Sequence, residues 1–230
     1  RKVEPYIKGK FALFSPSSGI IDTHGFMQSL MNLNVFYGTT YAAYSPVLGA
    51  EPNPHGWSVR VGGLEPTTVT SRTVVNTSGL YALELSRKIF PNRKLPKANP
   101  VKGCYLRYSG KSPINHIVYP AIIPGMIEER ADATPDLSGS LRFGPSIEKT
   151  KGIEDFTMPT NLVKRFIPEV KKYLPKIDES RLYLDQAGIR PKIILDGNKN
   201  PDFVFDWGEE LGWLDLWGIE SPGLTASLAI

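Results

Sequence analysis

Apolar and polar positions change their spacing along the N-terminal part of the chain and predict a strand followed by a helix. Residues 11–14 have the composition of a strand. The following segment indicates a helix that Asp22 or Thr23 can cap and that ends near Gly38, since short oxygen-bearing side chains favour the first position of a helix. Its apolar side consists of Phe26, Leu30 and Leu33.

Further β-type segments follow at 39–47, 57–61 and 67–75. The second alternates and precedes a Gly-Gly pair, so it reads as one arm of a hairpin. The third runs into Asn76-Thr77-Ser78-Gly79 and a helical segment that begins at Leu80. A buried strand that leads through small residues into a helix is typical of a ligand-facing edge in α/β proteins.

The central part of the chain predicts an antiparallel sheet. Residues 91–100 are rich in proline and basic side chains and form a connector, and strands are expected at 103–108, 114–119 and 141–143. Short strands separated by glycine-containing turns favour antiparallel pairing. Residues 161–173 indicate a helix with Leu162, Phe166 and Val170 inward, which Pro168 is expected to break or divide in two.

Strand and turn signals return in the C-terminal part. A strand at 182–187 leads towards Arg190, Asp196-Gly197 is a tight-turn dipeptide, and 202–206 is an apolar run. A strand end at 214–219 is followed by the turn Ser221-Pro222-Gly223 and a helix start. Such a turn directs backbone N–H groups at an electron-rich ligand.

Composition and charge restrict the classes of function. The 230 residues are 41% hydrophobic, enough for one large or two small domains, and no apolar run is long enough to span a membrane. The net charge is +4, and the basic clusters at 87–102 and 164–176 are not interleaved with stacking aromatics, so nucleic-acid binding is not predicted. The single cysteine, Cys104, excludes an internal disulfide and fits a reducing, intracellular compartment, cytoplasmic or mitochondrial.

Few side chains are candidates for chemistry. Cys104 lies in an apolar strand and is expected to be a packing thiol rather than a nucleophile, and no spacing of ligands fits a metal site. Of the three histidines, His24 and His55 are expected to be surface residues, and His116 near Tyr119 is the candidate acid or base. Arg190, between Gly188-Ile189 and Pro191, is either an ordinary salt-bridge arginine or an anchor for a planar carboxylate.

Six segments in order resemble the D-amino-acid oxidase superfamily of FAD-dependent oxidoreductases, and its L-2-hydroxyglutarate dehydrogenase branch in particular. They are the strand and turn at 74–82, the strand opening Lys102-Gly103-Cys104-Tyr105, the segment 115–120, the hairpin 136–145, the Gly188-Ile189-Arg190-Pro191 motif and the turn and helix at 218–229. The resemblance implies an α/β (α+β) fold in which an incomplete FAD-binding domain is interrupted by an antiparallel substrate domain. The expected boundaries are 1–18 for a substrate-domain edge, 19–92 for the FAD domain, 93–186 for the substrate domain and 187–230 for a return to the FAD domain.

The same resemblance implies FAD as cofactor and hydride transfer to flavin from a small 2-hydroxy or 2-amino acid. Arg190 would take the substrate carboxylate, His116 would act as acid or base, and Tyr105 and Tyr119 would line the pocket. The residues expected at the flavin are Asn76, Thr77, Ser78, Gly79, Gly218, Ile219, Glu220, Ser221, Pro222, Gly223 and Leu224.

The chain departs from the family pattern at two points. It contains no G-x-G-x-x-G motif for the FAD pyrophosphate, so we expect a fragment whose partner is the N-terminal half of the same protein. An apolar surface around Val74, Val75 and Leu224 is then expected to be exposed. In addition, Asp132 stands where the hydroxyglutarate branch usually has a histidine. A non-catalytic carboxylate-binding module and an interaction domain that uses the basic faces remain the alternatives.

Overall fold

The structure is a computed structural model and describes residues 3–121 and 131–230. The chain forms two compact units, each built from two separated segments. The first consists of Arg1–Phe36 and Lys102–Gly188, and the second of Tyr37–Val101 and Ile189–Ile230. Which unit serves a cofactor and which a substrate is a prediction that these bounds do not test.

Short helices and strands alternate along the described residues. The helices are α1 Thr23–Phe36, α2 Ala82–Ile89, α3 Leu162–Tyr173 and α4 Gly223–Ala226. The strands are β1 Val47–Asn53, β2 Gly56–Val61, β3 Thr67–Ser71, β4 Val74–Asn76, β5 Lys97–Ala98, β6 Val101–Tyr108, β7 Ala133–Pro135, β8 Leu141–Phe143, β9 Leu182–Arg190, β10 Ile193–Ile194, β11 Val204–Asp206 and β12 Trp213–Trp217. This mixture of helices and mostly antiparallel strands confirms the predicted fold class.

The first unit is built on a sheet with the strand order β7-β8-β6-β9. Strand β8 pairs antiparallel with both β6 and β7, as the central sequence predicts. Alternate residues of β6 point to opposite faces, so Cys104 and Leu106 are fully buried while Tyr105 and Arg107 lie on the other face, partly exposed. Helix α3 joins the same core through its apolar side chains Leu162, Phe166 and Val170.

Pro168 lies inside α3, and the predicted break at this residue is wrong. Pro168 is exposed, whereas Phe166 and Val170 on either side of it are fully buried. A proline removes one backbone hydrogen bond from a helix. The burial of the apolar side of α3 offsets that loss, so the helix continues from Leu162 to Tyr173.

Three predicted strands are also wrong or misplaced. Residues 11–14 form no strand, and 39–47 are irregular until β1 begins at Val47. In 114–119 only Val118 forms a bridge, to Ala133. The backbone N–H groups of Asn115 and His116 donate to the Glu4 carboxylate at 2.8 Å, so they are not available to a strand partner.

The second unit contains the antiparallel hairpin sheet β1-β2-β3 and the sheet β11-β12-β4. The predicted strand 67–75 is divided into β3 and β4, because the Ser71 hydroxyl bonds the carbonyl of Thr73 at 2.6 Å and turns the chain. Trp57, Phe90 and Trp213 pack edge-to-face in the core between these elements. The two β10–β5 pairs add a short ribbon.

No helix among the described residues is both long enough and apolar enough to cross a membrane. Helix α1 contains no buried residue, although it carries the spaced apolar side chains that the sequence predicted. Phe11 and Leu13, which precede it, are 95% and 101% exposed. In the second unit Val75 and Leu224 are about half exposed, as expected, whereas Val74 packs against the aromatic core.

We expect the isolated chain to self-associate, because exposed apolar patches of several hundred Å² promote association. The double substitution Phe11→Ser and Leu13→Ser should shift sedimentation profiles towards monomer. Leu64→Ser is the matched control, since Leu64 is equally exposed at 100% but lies on a hairpin of the other unit. A wild-type chain that sediments as a single monomer at high concentration would contradict the expectation.

Candidate functional site

The sheet β11-β12-β4 brings together the two segments that were predicted to face a flavin. Strand β4 lies parallel to the central strand β12, with Asn76 opposite Asp215. Because neighbouring parallel strands end at the same edge of a sheet, the residues after Asn76 and those after Trp217 emerge side by side. The edge formed by 77–79 and 218–223 is called the turn edge below.

The first turn of this edge presents open backbone. Asn76 is buried, and its Oδ1 accepts a hydrogen bond from the N–H of Ser78 at 3.2 Å. Thr77, Ser78 and Gly79 are exposed. Gly79 has a φ of +57°, and a Cβ atom added there would meet nothing within 4 Å. Open space over a positive-φ glycine permits a planar ligand to approach the backbone closely.

The second turn is compact. Gly218 has a φ of +70°, and the N–H of Glu220 bonds its carbonyl at 2.8 Å. A Cβ on Gly223, at the start of α4, would lie 2.7 Å from Cγ2 of Ile219, so a larger residue there would require the Ile219 side chain to move. Ser221, Pro222 and Leu224 are exposed.

Arg190 is the last residue of β9 and is followed by a short segment that packs against the second turn. The Lys192 ammonium forms an ion pair with Glu220 at 2.7 Å, and the position of a Cβ on Gly218 is 3.2 Å from the Ile193 side chain. Lys192 and Ile193, which follow Arg190 closely in the chain, therefore contact the second turn. Arg190 is partly buried, and no carboxylate of the described residues lies within ion-pair distance of its guanidinium. The ordinary salt bridge considered from sequence is thus not present in the described part.

A buried polar network beneath the turn edge was not predicted. Asp215 is fully buried and pairs with Arg93 at 2.9 Å, and its other oxygen accepts from Asn76 and Ser86, each at 2.7 Å. A signal was available in the sequence. Asp215 is two residues away from each of two tryptophans in β12, and every second residue of a strand points to the same side, so Asp215 shares their buried side.

The remaining predicted site residues lie in the first unit. Tyr105 is partly exposed on β6, and Tyr119 is 64% exposed beyond the bridge at Val118. His116 lies in a bend rather than on the predicted strand, with Nδ1 2.6 Å from Oε1 of Glu4. The structure therefore groups Arg190 with the turn edge and His116 with Glu4.

Cys104 is a packing residue, as predicted. It is fully buried in the core of the first unit, and this burial raises the pKa of its thiol. No group of three or more His, Cys, Asp or Glu residues within 3–121 and 131–230 could hold a metal ion. Asp132 is buried.

The family follows from comparison of the whole sequence. Residues 1–230 match the family model described as FAD dependent oxidoreductase, or DAO. The chain belongs to this family. The resemblance inferred from its short motifs is thereby confirmed.

One relative of the DAO chain is the mitochondrial L-2-hydroxyglutarate dehydrogenase of Arabidopsis thaliana. It is 30% identical over 274 residues, an alignment that covers 100% of this chain and 56% of the relative. The chain therefore spans little more than half the length of this relative.

Solved structures show the same fold at low identity. The glycine oxidase of Geobacillus kaustophilus superposes with a TM-score of 0.72 at 19% identity, covering 98% of this chain and 57% of the oxidase. The L-α-glycerophosphate oxidase of Mycoplasma pneumoniae, solved with FAD bound, gives 0.63 at 19% identity, covering 80% of this chain and 47% of that one. These likenesses establish the fold of the DAO chain alone.

The geometry of the second turn predicts that Gly218→Ala destabilises the DAO chain by about 1–2 kcal/mol, the usual cost of a left-handed conformation for a residue with a Cβ. The contact with Ile193 at 3.2 Å adds to this cost. Gly188→Ala is the matched control, because a Cβ at Gly188 meets nothing within 4 Å and no positive φ is required. Denaturant unfolding of both variants tests the prediction, and equal midpoints would contradict it.

Proposed function

We propose that this chain is the substrate-facing part of a FAD-dependent enzyme that oxidises a small 2-hydroxy or 2-amino acid. The observation that carries the proposal is the turn edge, where two glycine-containing turns emerge side by side and Lys192 contacts the second of them. Arg190 precedes Lys192 by two residues, is partly buried, and has no carboxylate of the described residues within ion-pair distance. The printed names of the relatives support both substrate classes, since one is a 2-hydroxyglutarate dehydrogenase and another a glycine oxidase.

The turn edge fits one end of a flavin cofactor. Open space over Gly79 and the tight fold of 218–223 leave backbone accessible to a planar ring. Residues 77–79 and 218–224 would hold the ring, and Asn76 would support the first turn from beneath through its bond to Ser78. When bound, the flavin supplies the oxidising power by accepting two electrons from the α-carbon of the substrate.

Arg190 would bind the substrate carboxylate. Its guanidinium offers a planar pair of donors that matches a carboxylate, and Pro191 after it restricts the backbone. A charge pair of this kind fixes the position of the α-carbon, which lowers the entropic cost of reaching the reactive geometry. The ion pair between Lys192 and Glu220 ties this segment to the second turn and supports the same role.

His116 is the proposed acid or base. An ionised Glu4 carboxylate can only accept a hydrogen bond, so in this role the ring N–H at Nδ1 would donate to Glu4 and Nε2 would exchange the proton with the substrate. A carboxylate that orients a histidine in this way is a recurring arrangement in acid–base catalysis. Tyr105 and Tyr119 of the same unit are proposed to line the substrate pocket.

A non-catalytic carboxylate-binding module is the second candidate. It is favoured by the sequence of the chain, whose 230 residues contain no G-x-G-x-x-G motif for a pyrophosphate. Such a module would bind a carboxylate at Arg190 but would not oxidise it. Flavin absorption in the purified protein distinguishes the two candidates.

We expect residues 1–230 alone to bind FAD weakly, with a Kd within about threefold of that for riboflavin, a difference below about 0.7 kcal/mol. The turn edge would contact the ring that both molecules share, and no glycine-rich loop in this sequence would contact the pyrophosphate of FAD. Titration of the intrinsic flavin fluorescence of each ligand measures both constants.

A pair of glycine variants controls this titration. Gly79→Ala and Gly139→Ala carry equivalent strain, since both glycines have positive φ and open space around a Cβ, but Gly139 lies in the other unit. Only Gly79→Ala should weaken riboflavin binding. Tight FAD binding to the 230-residue chain, or the same effect from both variants, would contradict the assignment of the turn edge.

In an active enzyme that contains these residues, Arg190→Ala should lower kcat/KM for 2-hydroxy acids at least about tenfold. Removing one partner of a desolvated charge pair costs about 2–5 kcal/mol, and about 1.4 kcal/mol corresponds to tenfold. Arg190→Lys should recover part of the loss, because an ammonium cannot make the two-point contact.

Arg60→Ala is the control for Arg190→Ala, since Arg60 is an exposed arginine whose contact with Glu51 spans 3.9 Å. It should leave kcat/KM unchanged, and flavin content should remain at the wild-type level in all three variants. If Arg190→Ala retains full turnover, or loses flavin and fold together, Arg190 does not bind the carboxylate.

A further inference from the structure

Asp215 is a charged residue in the middle of a buried strand. It lies two residues from both Trp213 and Trp217 in β12 and therefore on the same face of the strand, and its side chain is fully buried. A carboxylate is costly to remove from water unless it is paired and hydrogen-bonded. A hydrophobic residue would fill this position at less cost, so the contacts of the carboxylate indicate what it contributes.

The partners of Asp215 come from several elements. Its Oδ2 pairs with Nη1 of Arg93 at 2.9 Å, and Arg93 also pairs with Asp206 of β11 at 3.0 Å. Its Oδ1 accepts from the Asn76 amide and the Ser86 hydroxyl, each at 2.7 Å. One carboxylate therefore joins β4, α2 and the segment that follows α2 to β12.

The Asn76 contact reaches the first turn. The two shortest hydrogen bonds of the Asn76 amide nitrogen go to Asp215 and to the carbonyl of Ala82, at 2.7 and 2.9 Å, and the Ser86 hydroxyl oxygen lies 3.2 Å from the same nitrogen. These two bonds fix the orientation of the amide and aim its Oδ1 at the N–H of Ser78. The direction in which the chain leaves β4 towards Gly79 thus depends on Asp215.

The Ser86 and Arg93 contacts reach the second turn. The indole N–H of Trp217 donates to the Ser86 hydroxyl at 3.2 Å, and the Arg93 guanidinium lies 5.4 Å from the centre of a Trp217 ring. Trp217 immediately precedes Gly218. The residue from which the second turn departs is therefore held by two groups that both bind Asp215.

We propose that Asp215 is a positioning residue that sets the two turns of the turn edge relative to each other before a flavin binds. This inference rests on the proposed flavin site. Asp215 acts on the first turn through Asn76 and on the second turn through Ser86 and Arg93. The residues that would contact the flavin itself are those of the turns, 77–79 and 218–223. A ligand site whose parts are already in place loses less conformational entropy on binding.

The test compares Asp215→Asn with Val59→Ala, a core substitution in the same unit that leaves the network intact. Hydrogen exchange is measured by mass spectrometry in the absence of flavin, at a temperature where both variants are folded. Asp215→Asn should accelerate exchange at least about tenfold in peptides that cover 77–79 and 218–223. It should also raise the Kd for riboflavin at least about fivefold, whereas Val59→Ala should change neither quantity by more than about twofold.

Ser86→Ala keeps the inference testable if Asp215→Asn does not fold. Alanine is favourable inside a helix, so this substitution should preserve α2. It removes the Ser86 hydroxyl, which accepts the hydrogen bond from the Trp217 indole N–H. Exchange should then increase more in 218–223 than in 77–79. If Asp215→Asn or Ser86→Ala instead increases exchange uniformly throughout the second unit, the positioning role is overturned. If the wild-type protein binds no riboflavin but Asp215→Asn still accelerates exchange selectively in the two turns, the flavin site is wrong and the control of the turns by Asp215 is supported.

Discussion

The parallel pairing of β4 with β12 is the constraint on which the candidate site depends. Parallel neighbours end at a common edge, and the register of Asn76 opposite Asp215 brings two turns that are far apart in sequence into one place. Without this pairing, the glycines at 79 and 218 would be ordinary turn residues. The buried hydrogen bond between the same two side chains, at 2.7 Å, fixes the register from within.

The features that were predicted correctly from the sequence are those that depend on residues close together in the chain. The apolar spacing of α3, the cap that Asp22 supplies to α1 and the Asp196-Gly197 turn, with φ of 47° and 84°, could all be inferred from neighbouring residues. Residues 11–14 have strand composition but no strand beside them, and the N–H groups at 115 and 116 bond a carboxylate from residue 4. These outcomes depend on partners that sequence spacing does not reveal.

In the candidate site, too, the short motifs could be recognised from the sequence, whereas the contacts between distant residues could not. Motif resemblance proposed both turns and Arg190 as site residues, because each lies in a short signature that can be recognised along the chain. It did not find the network around Asp215, whose members come from four separate segments. The alternation of Asp215 with two tryptophans could have predicted its burial, but not that Asn76, Ser86 and Arg93 meet there.

The composition of each unit from two separated segments has a consequence for biosynthesis. The contact between Asn76 and Asp215 joins positions 139 residues apart, so β4 leaves the ribosome long before its partner strand exists. Contacts of such long range slow folding because a large loop must close first. During that interval the edge of β4 is unpaired, and unpaired edges are where nascent chains aggregate or recruit chaperones. The second unit therefore cannot be completed before its segment Ile189–Ile230 has been synthesised.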